Sequence, residues 1–340
     1  MNIAVLLGGN SPERNVSLAS GSAVARALRS RGHHVVAIDP SHGADPIVDT
    51  ETLEIPAGPP TAEDLAARPV SAYLEAVCSP AFDGIDMVFS VLHGKNGEDG
   101  VMQALLEARG CRYTGSSVMG CSLTMDKCQT KIVFSAVNVP TPRWSLLRRG
   151  DDIDIELLRE LRDTFRSGIV VKPNDQGSTV GMTIIKGTNI DDIESAIREA
   201  WIYSDTALVE EFIEGRELTV AVVGDEAYPI VEIIPEGGFY DYAHKYTKGM
   251  SAYHCPAELD EDLSDFIRSL AVMAHRSCGC SGYSRVDFRL DDDNQPWCLE
   301  VNTLPGMTAT SLVPKAAAAA GLSFEDLCER IIEMADRKYR

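Results

Sequence analysis

Residues 284–307, SRVDFRLDDDNQPWCLEVNTLPGM, hold a dense set of side chains that could do chemistry. Val286, Phe288 and Leu290 alternate with Arg285, Asp287 and Arg289, the period of a half-buried strand. Asp291, Asp292, Asp293 and Asn294 supply turn chemistry. Trp297, Leu299 and Val301 then alternate with Cys298, Glu300 and Asn302. The spacing predicts a hairpin with Arg285 and Asp287 on one face of its first strand, and Glu300 and Asn302 on one face of its second. If the faces coincide, a guanidinium, two carboxylates and an amide converge. A charged solvent face would account for any one of them. All four on matched faces, followed by TLPGMT, point to a metal–nucleotide site. A hard cation such as Mg2+ takes oxygen ligands, usually one or two carboxylates plus substrate phosphates. Asp287, Glu300 and Asn302 are therefore the candidate ligands. Arg285 would stabilise negative charge on a transferring phosphoryl group.

Other elements must bring substrates to that hairpin. An apolar run over residues 3–7 ends at Gly8 and Gly9. A helical pattern follows through Val16, Leu18, Val24, Ala27 and Leu28, and a second strand covers residues 35–38. This β-α-β order predicts an open parallel sheet with ligands at the carboxyl ends of its strands. Gly8-Gly9 is not a full dinucleotide fingerprint and reads first as a tight turn. Residues 41–80 are rich in Pro, Ala and Gly and read as loops with one or two short helices. A buried strand over 87–92 delivers HGKNGEDG and then a helix over 101–108. His93 falls where parallel sheets place ligands. Glu98 reads equally as a first-turn acid, like Asp99, or as a direct participant.

Residues 111–116 read as a strand and turn. A helix opens at 122–127 and runs to about residue 136, and residues 153–166 form an amphipathic helix. The run IVVKPNDQGSTVGM, residues 169–182, places Lys172 on a buried strand before a loop with Gly177, Ser178, Thr179 and Gly181. A strand over 183–186 follows. Such a hairpin can fold over phosphates, because small residues let backbone amides approach the oxygens; an ordinary flexible hairpin has the same pattern. It is not a Walker A loop, since the Lys precedes the glycines. Residues 207–213 and 217–223 read as an acidic strand pair. Over 237–257, glycines, aromatics and lysines interrupt any period, as in a lid. A helix covers 259–276. Backbone amides and a hydroxyl at 308–314, near a helix start, can hold a carboxylate. Helices over 316–320 and 324–339 close the chain.

The 340 residues are enough for two or three domains, and 44% apolar content suits a soluble globular chain with a packed core. A net charge of −20 argues against general affinity for nucleic acid or anionic lipid, while leaving room for a local basic pocket. The nine cysteines are scattered without a CxxC pair, which suggests reduced thiols in a cytoplasm. The start MNIAVLLGGN is too short for a signal peptide, and no apolar run is long enough to span a bilayer. A cytoplasmic protein without a membrane or nucleic-acid partner is expected.

The run RVDF…LEVNTLPGMT…SLVP closely resembles the carboxy-terminal signature of D-alanine–D-alanine ligases, members of the ATP-grasp superfamily. GGNSPERNVSLASG, HGKNGEDG, IVVKPNDQGSTVGM, EEFIEGRE and YDYAHKY match further motifs of that family, in family order over nearly the whole chain. The fold class this implies is α/β, a three-domain ATP-grasp fold with an amino-terminal open parallel sheet. Residues 1–120 would be the amino-terminal substrate domain, 121–204 the central small domain and 205–340 the carboxy-terminal domain with an ω-loop lid. The implied activity is ATP-dependent joining of two D-alanine molecules through a D-alanyl phosphate, for peptidoglycan precursor synthesis. ATP, two Mg2+ ions (with Mn2+ able to substitute) and a homodimer come with the resemblance.

Carried over by motif, Glu13 and Ser17 match the acid and hydroxyl that help hold the first D-alanine and the closing loop, and His93 lies against substrate. Lys127, Lys172 and Lys245 match nucleotide-phosphate lysines. Backbone groups of Glu211, Phe212 and Ile213 would read adenine, Glu210 its amino group, and Glu217 the ribose. Ser178 matches a loop hydroxyl; the family usually has two serines where this chain has Ser178 and Thr179. Tyr246 would meet Glu13 and Ser178 to seal the site, and a Tyr there is associated with D-alanine as second substrate. Tyr240 and Tyr242 read as loop packing. Asp287, Glu300 and Asn302 match the metal ligands. Arg285 and the Gly306 amide would hold the oxyanion, and Ser311 and Leu312 the carboxylate of the second D-alanine. D-serine or D-lactate as second substrate remains a rival, as does a nucleotide-binding regulator that has lost ligation.

Overall fold

The computed structural model describes residues 1–56, 58–187, 189–235 and 251–339. Strand β1 (Asn2–Leu6), helix α1 (Arg14–Ser30) and strand β2 (His34–Ile38) form the expected β-α-β unit. Strand β3 (Ile47–Val48), short helices α2 (Ala62–Ala66) and α3 (Ser71–Cys78), strand β4 (Met87–Ser90) and helix α4 (Val101–Arg109) complete the first layer. Its sheet runs β3-β2-β1-β4. β1 is parallel to both neighbours, and only the edge strand β3 is antiparallel. Ile3 to Leu7 are completely buried, because both faces of a mostly parallel sheet are covered. Residues 111–116 differ from the expected strand: they contribute one isolated bridge, Tyr113 to Val88.

The expected single helix from 122 to 136 is two, α5 (Val118–Met125) and α6 (Lys127–Ala136). Asp126 is extended between them and accepts the Gln129 amide at 2.9 Å, so its side chain caps a fresh helix. Strand β5 (Trp144–Arg148), helix α7 (Ile155–Thr164), strands β6 (Ile169–Pro173) and β7 (Thr183–Ile185), helix α8 (Ile190–Tyr203) and strand β8 (Thr206–Glu211) follow. They form a second, antiparallel sheet in the order β5-β8-β6-β7. Leu158, Leu161, Ile193, Ile197 and Trp201 from the two helices pack with Ile169, Val171, Ala207 and Val209 from the strands.

The third sheet contains β9 (Arg216–Val223), β10 (Glu226–Ala227), β11 (Val231–Pro235), β12 (Ser251–His254), β13 (Tyr283–Leu290) and β14 (Pro296–Asn302), in the order β12-β11-β9-β13-β14 with β10 on β9. Helix α9 (Glu261–Ser277) lies before β13, and α10 (Leu312–Ala319) and α11 (Phe324–Lys338) end the chain. Two expectations are corrected here. β8 and β9 are not a pair; they belong to different sheets, and the chain crosses between them at residues 212–215. Residues 251–254, read within an aperiodic lid, form edge strand β12 on β11.

Ile267, Leu270 and Ala274 of α9 cover Leu218, Val220, Val222, Val286 and Phe288. Ala221, Val223, Val231 and Tyr283 join a second cluster with Leu18, Leu28, Val313 and Ile331, which welds the third sheet to the first layer. No described helix is long and apolar enough to cross a membrane.

Candidate active site

The β13–β14 hairpin has the expected faces. Arg285 pairs with Asn302 and Asp287 with Glu300. A bulge then changes the register: Phe288 pairs with Cys298, so Leu299 is the extra residue. Cys298 therefore turns into the core, completely buried, while Leu299 lines a cleft; strict alternation predicted the reverse. Arg285 Nε and Nη2 donate to Asp287 Oδ1 and Oδ2 at 2.9 and 2.8 Å. Thr219 Oγ1 donates to Asp287 Oδ1 at 2.6 Å and Asn302 Nδ2 to Oδ2 at 3.0 Å. Lys127 Nζ lies 3.3 Å from Glu300 Oε2 and donates to the Gln176 carbonyl at 2.7 Å.

Two cavities of about 610 Å³ each open against this hairpin. The first is lined by Glu13, His93, Glu98, Asn302, Gly306 and Ser311 among others. The second is lined by Lys127, Lys172, Glu210, Glu211, Phe212, Ile213, Glu217 and Asp287, with Leu299 and Arg289. Gly177, Ser178, Arg285, Glu300 and Leu312 line both. A group could pass from a ligand in one cavity to a ligand in the other across this shared wall.

In the first cavity, Glu13 stands at the N-cap of α1 but makes no capping bond. Its Oε1 instead accepts the Ser178 hydroxyl at 2.5 Å, which joins residues 165 positions apart. Ser17, the motif's hydroxyl, is buried away from the cavity and donates to the Val91 carbonyl at 2.7 Å. Gly100 is the N-cap of α4, which has no side-chain cap; Asp99, the residue before it, accepts the Val101 amide at 3.1 Å. Glu98 lies on the cavity wall. Its burial, reinforced by the nearby Glu13 charge, pushes its carboxyl up to about 8. His93 Nδ1 donates to the Leu304 carbonyl at 2.8 Å, and burial lowers its pKa, so the ring is neutral with Nε2 as an acceptor. Among the described residues that buried Nε2 has no partner, and His93 lines the cavity. Ser311 is the N-cap of α10, and its Oγ accepts the Thr308 amide at 3.0 Å. A Cβ on Gly306 would stand 3.0 Å from that oxygen. The helix start, where unpaired amides favour an anion, thus faces the cavity through Ser311 and Leu312.

In the second cavity, Lys172 Nζ donates to Glu210 Oε1 at 2.5 Å, and Lys131 Nζ lies 2.9 Å from Oε2. Burial pushes the Glu210 carboxyl up, but the two ammonium groups outweigh it and hold it below the usual range. The Glu211 and Phe212 amides donate to the carbonyls of Arg143 and Gly168, both at 2.9 Å. Phe212 brings its ring, with Lys186 Nζ 4.7 Å from the centroid. Arg289 donates to the carbonyls of Ile213 at 3.1 Å and Gly215 at 2.7 Å, bracing the crossover between the sheets.

Two family models match the chain: "D-ala D-ala ligase N-terminus" over residues 2–116 and "D-ala D-ala ligase C-terminus" over 133–333. The chain belongs to the D-alanine–D-alanine ligase family. A D-alanine–D-alanine ligase of Bordetella petrii is 42% identical, with 98% of this chain and 91% of that protein covered. D-alanine–D-alanine ligase B of Chromobacterium violaceum is 40% identical, covering 97% and 96%. Among solved structures, the D-alanine–D-alanine ligase from Bacillus anthracis complexed with ATP superposes with a TM-score of 0.77 at 28% identity, covering 99% of this chain and 98% of that one. The VanG D-Ala:D-Ser ligase from Enterococcus faecalis gives 0.76 at 28%, covering 98% and 99%. The three-sheet α/β architecture is that of the ATP-grasp ligases.

Relative to the ligase motifs, the structure gathers Glu13, His93, Ser178, Arg285, Gly306, Ser311 and Leu312 around the first cavity. It gathers Lys127, Lys172, residues 210–213, Glu217 and Asp287 around the second. Lys245 and Tyr246, with Tyr240 and Tyr242, lie outside the described residues. Asp287, Glu300 and Asn302 offer only carboxylate and amide oxygens as donors to a metal, so their donor chemistry fits a hard cation. Among the described residues, no group of three or more His, Cys, Asp or Glu side chains is placed to hold a metal ion. Sequence reasoning missed Arg289, Lys131 and Leu299. Arg289 was visible only as a member of an alternating strand.

Proposed function

We propose that the chain joins two D-alanine molecules to D-alanyl-D-alanine, a peptidoglycan precursor, at the expense of ATP. The observation that carries this is the shared wall of the two cavities: Arg285 and Glu300 border both. ATP in the second cavity and D-alanine in the first place a carboxylate opposite a γ-phosphate. The carboxylate oxygen attacks the phosphorus and ADP leaves, giving D-alanyl phosphate. The amine of the second D-alanine attacks the acyl carbon; the C–O bond to phosphate breaks, phosphate departs and the amine loses a proton. Amide formation from a carboxylate is uphill in water, so phosphoryl activation is chemically required.

Glu13 and the neutral Nε2 of His93 supply acceptors for an ammonium in the first cavity. The α10 start receives the second carboxylate through Ser311 and Leu312. Arg285, with the Gly306 amide, stabilises the oxyanion. Lys127 and Lys172 face phosphates, Glu210 to Ile213 the base and Glu217 the ribose; Lys245 is assigned to phosphates and Tyr246 to the seal over Glu13 and Ser178. Asp287, Glu300 and Asn302 would hold two Mg2+ ions, which offset phosphate charge; Mn2+ is the expected substitute. Asp287 accepts from Arg285, Thr219 and Asn302, so a cation there would compete with those donors. Division at residues 120 and 204 into three units, a homodimer and a cytoplasmic site of action belong to the same proposal. β8, just past residue 204, lies in the central sheet.

The test is phosphate release from purified protein with magnesium-ATP and D-alanine, L-alanine, D-serine, or D-lactate plus D-alanine, with mass detection of product. D-alanyl-D-alanine from D-alanine alone is expected. A requirement for a mixed pair would reassign the second substrate, and nucleotide binding without turnover on any of them would favour a regulator.

A further inference from the structure

Lys131 sits on α6 one turn beyond Lys127 and is completely buried. Its Nζ donates to Thr141 Oγ1 at 2.7 Å, lies 2.9 Å from Glu210 Oε2 and stands 5.8 Å from the centre of the Trp144 ring. Glu210 Oε1 is taken by Lys172 at 2.5 Å. Among the described residues, both lysines form their ion pairs with this one carboxylate. Two ammonium groups on one buried carboxylate leave a surplus positive charge in the interior, which is costly unless an anion answers it. The three groups differ in exposure to the second cavity. Glu210 and Lys172 line it, and Lys131 does not.

We infer that Lys131 is a positioning residue for nucleotide recognition: it holds the Glu210 carboxylate ionised and oriented while Lys172 leaves that carboxylate for a phosphate of ATP. The inference rests on the assignment of ATP to the second cavity. When Lys172 turns to the phosphate, Oε1 is released to accept an N–H from the exocyclic amine of the base. Oε2 keeps its ion pair with Lys131 at 2.9 Å; among the described residues it has no hydrogen-bond partner. A carboxylate with Lys172 as its sole cation would be stripped bare in the interior by the same movement, so Lys172 would be retained and the phosphate left unanswered. The Thr141 hydroxyl and the Trp144 face hold the Lys131 ammonium in place independently of the ligand.

The experiment is a double-mutant cycle of K131M and E210Q, read as direct affinity for a non-hydrolysable ATP analogue with magnesium, alongside turnover with D-alanine. Lys131→Met should raise the dissociation constant about tenfold or more. Turnover at saturating ATP and the KM for D-alanine should stay within about threefold. In the Glu210→Gln background the same substitution should add less than about twofold, because Lys131 acts through Glu210. Affinity within about twofold of the parent in folded K131M, or an equal loss in both backgrounds, would overturn the inference. If K131M alone does not fold, the comparison of E210Q with K131M/E210Q decides: equal affinity supports it, and a further loss overturns it. A parent protein that does not bind the analogue would remove the nucleotide assignment itself and the inference with it.

Discussion

At the scale of single residues, the site depends on charges held where water is scarce. Arg285 bridges the cavities and grips Asp287 through two hydrogen bonds. Arg285→Ala should leave the fold intact, since Asp287 keeps its Thr219 and Asn302 donors. Turnover should fall by roughly two or more orders of magnitude; steady-state kinetics with near-normal turnover would refute its assignment. Glu98 makes a different prediction. Its folded pKa is raised from 4.5 to about 8, so the folded chain binds the proton more tightly than the unfolded chain. The stabilisation is full below the unfolded value and is lost as pH rises through the folded one. Glu98→Gln should therefore flatten the decline in stability between pH 4.5 and about 8, seen as urea midpoints across that range. An unchanged pH slope would show that Glu98 is ionised throughout. These residues were unequally legible in the sequence. Arg285, Asp287, Glu300 and Asn302 stood out because strand periodicity puts them on common faces. Lys131 did not, because a lysine in a helix reads as a solvated surface charge until tertiary packing buries it. The two readings of Glu98 could be weighed only once α4 was seen to start at Val101, which leaves Glu98 outside its first turn and on the wall of the first cavity.

At the scale of elements, the hairpin and the crossover decide what the site can reach. Periodicity revealed β13 and β14 but could not reveal the bulge, because one inserted residue is invisible until the partner strand fixes the register. That insertion sends Cys298 inward and leaves Leu299 on the wall of the second cavity. The β8–β9 crossover was misread as a pair for a related reason. Two β-rich runs joined by a short glycine-containing link look like a hairpin whether or not they share a sheet. Gly215 enforces the separation. Its φ of +132° suits glycine, and a Cβ there would run into the Leu290 carbonyl. Gly215→Ala should cost at least about 1–3 kcal/mol from the backbone conformation alone. It should also weaken ATP more than D-alanine, because the Gly215 carbonyl anchors Arg289 at 2.7 Å and Glu217 lies two residues on. Denaturant unfolding and the two KM values check this; a stable variant with both KM values unchanged would contradict it.

At the scale of the whole molecule, three sheets meet around two adjoining cavities, and the first and third share a continuous core. Composition indicated a globular chain of several domains, and the β-α-β start indicated the first sheet. Which sheet each later strand joins depends on contacts between distant segments that local pattern does not carry. Binding at the junction should stabilise the assembly by mass action, about 2.7 kcal/mol at a ligand concentration a hundred times its dissociation constant. Magnesium-ATP should accordingly raise the thermal midpoint well above that of ATP in excess chelator; equal midpoints would remove the cation from the site. The central claim is that a carboxylate from the first cavity attacks the γ-phosphate across the shared wall. Its most direct test uses D-alanine carrying heavy oxygen in both carboxylate positions, with ATP, magnesium and mass analysis of the released phosphate. Transfer through an acyl phosphate predicts one heavy oxygen in each phosphate and one in the new amide carbonyl. Phosphate without heavy oxygen, alongside formation of the dipeptide, would contradict the account.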